Sequence, residues 1–113
     1  MIQKVLIVED DLDSQELLTE ILTMRGFHVE SADCIDALND LSDFIPDFIL
    51  SDVCVPGAHS DGSIVEILRG KWGQSPKVIL LSAHADLSSI ARRFNVQFVQ
   101  KPYSPLKIVE LFV

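Results

Sequence analysis

The sequence predicts an α/β protein, a five-stranded parallel sheet with helices on both faces in a doubly wound (βα)5 arrangement. Short, continuous apolar runs recur along the chain, and such runs are typical of strands buried on both faces of a sheet. Segments with helical hydrophobic spacing separate these runs, and this alternation favours a parallel sheet with right-handed crossovers. At 113 residues the chain is long enough for one core, so residues 1–113 are expected to form a single domain.

The first half of the chain predicts three strands and two helices. Residues 5–8, Val-Leu-Ile-Val, form an uninterrupted apolar strand that ends at an acidic triplet. Asp13 and Glu16 match the spacing of a capping box, and the apolar residues that follow predict a helix that stops at Gly26. The other elements of this half are a short strand at 28–31 with one apolar residue, a helix from about 35 to 43, and a strand at 48–50 that ends in Ser51 and Asp52.

The second half predicts three helices and two more strands. A loop at 55–61, rich in Gly, Ser and His, precedes a helix that begins near Ser63 and fades between Gly70 and Gly73. Asp86 is placed to cap a short helix. The other elements are a strand at 78–81 that ends in Ser82-Ala83-His84, a strand at 96–99 that ends in Gln100-Lys101-Pro102, and a last helix that begins near Ser104 or Pro105.

The composition excludes several classes of function. With 48% hydrophobic and 23% charged residues the chain is typical of soluble globular proteins. No apolar run approaches the ~20 residues of a membrane span, and the N-terminus lacks a signal-peptide layout. The net charge of -8 argues against nucleic-acid binding, because phosphate contacts require clustered Lys and Arg. Cys34 and Cys54 lack metal-site spacing and are interpreted as free thiols of a cytoplasmic protein.

Four of the five predicted strands end in residues that carry chemistry. In a parallel sheet these ends share one edge, where ligands bind in such folds. Adjacent carboxylates repel one another, so positive charge is expected nearby. Clustered carboxylates without His or Cys favour a hard cation, and Mg²⁺ is the ion expected here. A lysine and a hydroxyl complete a pocket in which a phosphoryl group can sit on a carboxylate nucleophile. The residues of this set are Glu9, Asp10, Asp11, Asp52, Ser82 and Lys101.

This ordered set resembles the receiver domain of two-component response regulators, a flavodoxin-like fold, over essentially the whole chain. The resemblance implies that the domain accepts a phosphoryl group from the phosphohistidine of a histidine kinase or phosphotransfer protein. It also implies that the domain assists its own phosphorylation and slowly hydrolyses its aspartyl phosphate, without being a conventional enzyme. The matching motifs are Val-Leu-Ile-Val-Glu9-Asp10-Asp11, Ser51-Asp52 with Pro56-Gly57 downstream, Leu-Leu-Ser82-Ala83, and Phe98-Val-Gln-Lys101-Pro102.

The resemblance also assigns roles around the acceptor. Asp52 is the phosphoryl acceptor, and Asp10 is a direct ligand of Mg²⁺ together with Asp52. Glu9 acts on the metal through water, and Cys54 offers its backbone carbonyl. Lys101 pairs with the phosphate, and a cis peptide bond is expected after it.

A second group of residues is expected to set the response to the phosphoryl group. By the same resemblance Ser82 is a catalytic hydroxyl and a switch residue, and Phe98 is the aromatic switch residue, although an aromatic at this position is equally consistent with the core. Cys54 and His84 lie two residues beyond Asp52 and Ser82, so both are expected to flank the path of the attacking water. His84 either orients that water or shields the phosphate.

Two segments depart from the pattern of the family. The loop between Pro56 and Gly62 is about two residues longer than usual, and the chain between Ser82 and Lys101 is a few residues short. The fourth helix is therefore expected to be stunted, which weakens the case for an output surface built from it. Neither departure touches the acceptor, the acids or the lysine.

Three other functions are alternatives to this one. A pseudo-receiver would be a protein-binding module that is not phosphorylated, and the retained Asp10, Asp52, Ser82 and Lys101 argue against it. An aspartyl-phosphate hydrolase of the haloacid dehalogenase kind requires a second Asp two residues after the nucleophile, where Cys54 stands. A flavodoxin requires a phosphate-binding loop after the first strand, and the acidic triplet occupies that place.

The chain is also expected to continue beyond Val113 into an output or kinase-related module. The last predicted helix ends in Leu-Phe-Val without the Lys, Arg or Gly that favour a helix C-terminus. A free-standing receiver is the alternative.

Overall fold

The computed structural model describes residues 2–112, so Val113 and the expectation attached to it lie outside the described residues. The five strands are β1 (Lys4–Val8), β2 (His28–Ala32), β3 (Phe48–Asp52), β4 (Lys77–Ser82) and β5 (Gln97–Gln100). The helices are α1 (Leu12–Met24), a 3₁₀ helix (Asp36–Leu41), α2 (Ser63–Trp72), α3 (Leu87–Phe94) and α4 (Pro105–Glu110). None of the helices in this part of the chain is both long and apolar enough to cross a membrane.

The strands form one parallel sheet in the order β2-β1-β3-β4-β5, which confirms the predicted doubly wound arrangement. Side chains alternate across the sheet, so β1 sends Leu6 to one core and Ile7 to the other. The core that contains Ile7 is closed by α1 and α4 through Leu18, Leu22 and Ile108. The opposite core is closed by the 3₁₀ helix, α2 and α3, with the buried residues Leu38, Ile64, Val65, Leu68, Leu87 and Ile90.

The cap of α1 differs from the predicted one. Asp11, in extended conformation, is the N-cap residue, and its carboxylate accepts a hydrogen bond from the Ser14 N–H at 3.1 Å. Asp13 lies within the first turn, so the proposed capping box with Glu16 is wrong. The helix begins at once after the acidic triplet, and the last acid of that triplet is the one that can reach an unpaired N–H of the first turn.

The second predicted helix is a 3₁₀ helix of 6 residues rather than an α-helix. At its start the Leu38 N–H donates a hydrogen bond to the Ile35 carbonyl at 3.0 Å. Its start is fixed from outside, because the Ile35 N–H donates to the Pro56 carbonyl at 3.0 Å. The short polar residues of this stretch, Asn39 among them, compete for backbone hydrogen bonds and favour a short helix.

The two segments that depart from the family pattern pack against each other. α3 has 8 residues, as the shortened chain predicts, and Asp86 is its N-cap residue but makes no capping hydrogen bond through its side chain. Gly62, with φ of 93°, ends the long loop against this helix. A Cβ on Gly62 would lie 2.5 Å from the Phe94 ring and 2.6 Å from Ile90, so only glycine permits this close approach.

Candidate functional site

The acidic residues predicted to form the site meet at the carboxyl edge of the sheet. Val8 is in register with Ser51 across the β1–β3 pair, so the residues that follow each position come together. One carboxylate oxygen from each of Glu9, Asp10 and Asp52 lies within 4.8 Å of the others. Within residues 2–112 this is the one group of metal-ligand side chains at such spacing. The donors are all carboxylate oxygens, which fits a hard divalent cation such as Mg²⁺.

Lys101 supplies the positive charge that this cluster requires. Its Nζ lies 2.8 Å from Glu9 Oε2 and 3.3 Å from Asp52 Oδ2. The backbone of Lys101 is fixed by its N–H, which donates to the Ser82 carbonyl at 2.8 Å. The peptide bond between Lys101 and Pro102 is cis, as predicted. The lysine therefore crosses the pocket from the end of β5 to carboxylates at the carboxyl ends of β1 and β3.

Glu9 is the most enclosed member of the cluster, with 1% of its surface exposed. Its Oε1 accepts a hydrogen bond from the Asp11 N–H at 3.1 Å, while its Oε2 faces Lys101. Burial raises the pKa of Glu9 above its ordinary value of 4.5, although the hydrogen bond from Lys101 opposes this change. Gln15 holds the backbone, since its Nε2 donates to the Glu9 carbonyl at 2.9 Å. Sequence reasoning missed Gln15, because no local pattern links a helix side chain to a carbonyl six residues earlier.

The charge of Lys101 is stabilised by its neighbours. Burial disfavours the ammonium form, but the hydrogen bond that Lys101 donates to Glu9 and the charges of Glu9 and Asp52 outweigh this effect and raise the pKa of Lys101 above 10.5. The lysine is therefore a permanent cation at neutral pH. The carboxylate of Asp11 acts as the helix cap, and its hydrogen bonds with Ser14 lower its pKa.

Asp10, Asp52 and Cys54 lie at the open side of the pocket. Asp10 is exposed and Asp52 is partly buried, so a cation from solvent can reach both carboxylates. The Cys54 N–H lies 3.5 Å from Asp52 Oδ1, which makes it at most a weak donor to the Asp52 carboxylate. The thiol of Cys54 is free and exposed.

Ser82 and His84 form a connected hydrogen-bond network at the end of β4. The buried Ser82 Oγ accepts a hydrogen bond from the His84 N–H at 3.0 Å. The imidazole Nδ1 of His84 accepts from the Asp86 N–H at 3.0 Å. Gln100 Nε2 donates to the His84 carbonyl at 3.2 Å and ties the loop to β5. Gln100 was not predicted as part of the site, since this contact depends on the pairing of β4 with β5.

Phe98 lies on β5 opposite Leu80. Its side chain is 43% exposed, so it is not a core residue in this conformation. β5 is an edge strand, paired only with β4. The role of Phe98 as a switch residue stays a prediction.

Comparisons with known proteins agree with this geometry. A sequence model described as "Response regulator receiver domain" matches residues 5–112. The phosphate regulon transcriptional regulatory protein PhoB of Escherichia coli (strain K12) is 29% identical over 96% of this chain and 49% of its own length. The DNA-binding response regulator MtrA of Mycobacterium tuberculosis is 27% identical over 96% of this chain and 48% of its own length.

The fold is also found among solved structures. The chemotaxis response regulator CheY4 of Vibrio cholerae superimposes with a TM-score of 0.84, with 20% sequence identity, over 99% of this chain and 97% of that chain. At this identity the similarity concerns the fold alone.

The chain belongs to the response regulator receiver domain family. It is a receiver domain of two-component signal transduction, and its cluster of Glu9, Asp10 and Asp52 fits the phosphorylation site of that family. The chain spans about half the length of the curated relatives described above.

Proposed function

We propose that Asp52 is the residue that accepts the phosphoryl group, from a phosphohistidine on a histidine kinase or phosphotransfer protein. In this step the bond between phosphorus and the imidazole nitrogen breaks, and a bond forms between phosphorus and one Asp52 oxygen. The product is an aspartyl phosphate and a free histidine on the donor. The supporting observation is the position of Asp52, which shares one pocket with two carboxylates and with Lys101 at 3.3 Å.

The side chains around Asp52 are suited to hold the transferring group. Lys101 places a permanent positive charge beside the acceptor and can pair with an oxygen of the phosphoryl group. Ser82 has a hydroxyl proton that it can donate to another of these oxygens, since its Oγ accepts only from the His84 N–H among the described contacts. Both contacts stabilise the negative charge on the phosphoryl oxygens during transfer, so the domain assists its own phosphorylation.

Mg²⁺ is the proposed cofactor. Asp10 and Asp52 would hold it directly, Glu9 would act through water, and the backbone carbonyl of Cys54 would complete the protein ligands. When bound, the metal supplies positive charge that offsets the phosphoryl oxygens and the clustered carboxylates. The carboxylate donor set fits this assignment, and no soft ligand belongs to the cluster.

The output of the domain is proposed to be a change in its surface. The phosphoryl group favours one of two conformations, and a partner or a covalently attached output module responds to that conformation. An attached module is consistent with the relatives, since the matched segment is about half of PhoB and MtrA. The later hydrolysis of the aspartyl phosphate would reset the switch in the same pocket.

Intact-protein mass spectrometry tests this function. The chain is incubated with acetyl phosphate and Mg²⁺, and we expect the mass of one phosphoryl group to be added. Asp52→Asn should add none, whereas Asp47→Asn, an equivalent change at the other end of β3, should behave as wild type. Labelling of Asp52→Asn at the wild-type level would overturn the assignment of the acceptor. No labelling of the wild-type chain by acetyl phosphate or by kinases would instead support the pseudo-receiver.

A further inference from the structure

The charges of this chain are divided unevenly along its length. Of its 9 lysines and arginines only Lys4 and Arg25 precede residue 62, whereas all but three of its 17 acids, Glu66, Asp86 and Glu110, do so. The acidic part contains β1, β2 and the carboxylates of the phosphorylation site. The later part, which contains β4 and β5, therefore carries a net positive charge within a chain of net charge -8.

A cleft in this positive part lies at the amino ends of β4 and β5, at the opposite edge of the sheet from Asp52. Its volume is about 370 Å³, which falls in the range of ~300–1,000 Å³ typical of small-molecule sites. The cleft is polar, and none of its lining residues is acidic. The polar lining residues are Arg69, Gln74, Ser75, Lys77, Asn95 and Gln97.

The two cations of the cleft are not neutralised by carboxylates. Arg69 is half-buried, and its Nη1 donates to the Phe94 carbonyl at 2.9 Å. A guanidinium has five N–H donors, so this bond orients Arg69 and leaves other donors for a ligand. Lys77 is exposed, and neither cation lies within 4 Å of a carboxylate oxygen in the described part of the chain.

Further hydrogen-bond donors surround the two cations. Gln74, Asn95 and Gln97 each carry a side-chain amide with two donors. The backbone N–H groups of Gln74 and Ser75 donate none of the hydrogen bonds found among residues 2–112. Anionic oxygens are the groups that satisfy such a set of donors, and charge-assisted bonds from Arg69 and Lys77 would be the strongest among them.

We propose that this cleft binds a small molecule that carries a phosphate group. The phosphate would contact Arg69 and Lys77, and the side-chain amides would contact the rest of the ligand. A phosphate ester is favoured over inorganic phosphate because the cleft has the size of a small-molecule site and three side-chain amides line it besides the two cations. The site is separate from the Asp52 pocket, since the two lie at opposite ends of the strands.

NMR titration of the full chain tests this proposal. The ¹⁵N-labelled protein is kept in EDTA, so that metal-dependent binding near Asp52 is removed, and ribose 5-phosphate, inorganic phosphate or ribose is added. We expect saturable shifts at the backbone amides of Gln74, Ser75, Asn95 and Gln97 with the ester, weaker shifts with phosphate, and none with ribose. Equal binding of phosphate and ester would identify phosphate itself as the ligand and support the site. Shifts confined to residues 9–11, 52 and 101, or no saturable shift, would overturn the proposal.

Two charge-matched variants separate the cleft from general electrostatic attraction. Lys77→Gln should weaken binding of ribose 5-phosphate about tenfold, the loss expected for one charge-assisted hydrogen bond. Lys71→Gln removes the same charge from α2, but Lys71 lies outside the cleft, where its Nζ donates to Asn39 at 3.0 Å. This control should bind as wild type. Equal losses in both variants would mean that the cleft is not a site. Both lysines are exposed, so neither change is expected to disturb folding.

Discussion

Lys101 approaches Glu9 more closely than it approaches Asp52, at 2.8 Å against 3.3 Å. Glu9 is one methylene longer than an aspartate at that position would be, and its Oε2 reaches the ammonium directly. The lysine is therefore shared between Asp52 and an almost fully buried carboxylate. This arrangement links the stability of the domain to the chemistry of its site.

Removal of Lys101 should destabilise the metal-free domain. Lys101→Met leaves the buried Glu9 carboxylate without its partner, and breaking a fully buried pair costs ~3–5 kcal/mol. The Lys101 side chain is 23% exposed, so we expect a smaller loss, about 2 kcal/mol of unfolding free energy. Urea unfolding in EDTA measures it. The double variant Glu9→Gln with Lys101→Met should regain most of the unfolding free energy that Lys101→Met loses. If the effects of the two substitutions were simply additive, the proposed coupling between Glu9 and Lys101 would be contradicted.

The raised pKa of Glu9 predicts that replacing its carboxylate with a neutral group increases the free energy of unfolding, and that this increase depends on pH. Because burial raises this pKa above 4.5, the native state holds the proton to higher pH than the unfolded state does. The contribution of Glu9 to stability is therefore fully present below the unfolded pKa and is lost as pH rises through the folded pKa.

The variant Glu9→Gln should reveal the direction of this dependence of stability on pH. Its unfolding free energy in EDTA, relative to wild type, should increase as the pH is raised from about 4 to 7. Glu16→Gln, a change on an exposed face of α1, provides the control and should give a difference that varies little with pH. A stability difference for Glu9→Gln that falls with rising pH would contradict the predicted direction.

The parts of the fold and site that followed from sequence are those that local patterns determine. Apolar runs located four of the five strands, and polar residues after these runs marked the carboxyl edge of the sheet, so Asp52 and Lys101 could be placed in one pocket before the strand order was known. The cap of α1 was assigned to Asp13 instead of Asp11 because several adjacent acids compete for one position, and spacing does not decide which acid meets the N–H of Ser14.

The remaining features depend on contacts between distant segments. The 3₁₀ helix is fixed by the bond from Ile35 to Pro56, and the Glu9 backbone is held by Gln15. The link from Gln100 to His84 spans 16 residues. Such bonds leave no periodic signal in the sequence, since they exist only once the sheet brings the partners together.

Mg²⁺ should stabilise the domain through the acidic cluster. A ligand that binds only the native state adds about 1.4 kcal/mol at ten times its Kd, so thermal unfolding should shift upward with added Mg²⁺. Asp10→Asn removes one proposed ligand and should abolish most of this shift. Asp13→Asn removes the same charge from α1 outside the cluster and should retain it. An Mg²⁺ effect that survives Asp10→Asn would exclude Asp10 as a ligand.

His84 should slow the loss of the phosphoryl group. Its ring is fixed to the loop because Nδ1 accepts from the Asp86 N–H, and a fixed ring beside Ser82 can shield the aspartyl phosphate from water. His84→Ala should therefore speed dephosphorylation, by roughly twofold to fivefold, which corresponds to less than about 1 kcal/mol in the barrier. Cys54→Ala should have a smaller effect, because the thiol is exposed.

A second histidine separates this role of His84 from a general effect of the loop. His59→Ala, in the neighbouring loop, is the matched control and should decay at the wild-type rate. Identical decay of the wild-type, His84→Ala and Cys54→Ala proteins would remove both residues from the mechanism.

The last prediction is that occupation of Asp52 moves Phe98 inward through Ser82. Ser82 Oγ now accepts from the His84 N–H, and a turn of this hydroxyl toward a phosphoryl group would weaken that bond and loosen the loop. Phe98 starts 43% exposed, and burial of an aromatic ring is favourable once space opens beneath it. Two discrete packings of this kind carry a local change to a distant surface.

Beryllofluoride, which mimics the phosphoryl group on Asp52, allows the switch to be measured by NMR. We expect amide shifts along β5 and reduced broadening of Phe98 by a soluble paramagnetic agent, because the ring becomes buried. Ser82→Ala should still bind beryllofluoride at Asp52 but should leave β5 and Phe98 largely unchanged, since the hydroxyl that couples them is missing. Phe48→Leu, on β3, which β4 separates from β5, should respond as wild type. Shifts confined to residues 9–11, 52 and 101 in the wild-type protein would show that the signal stays in the pocket, and the output would then have to be read directly from the loops around Asp52.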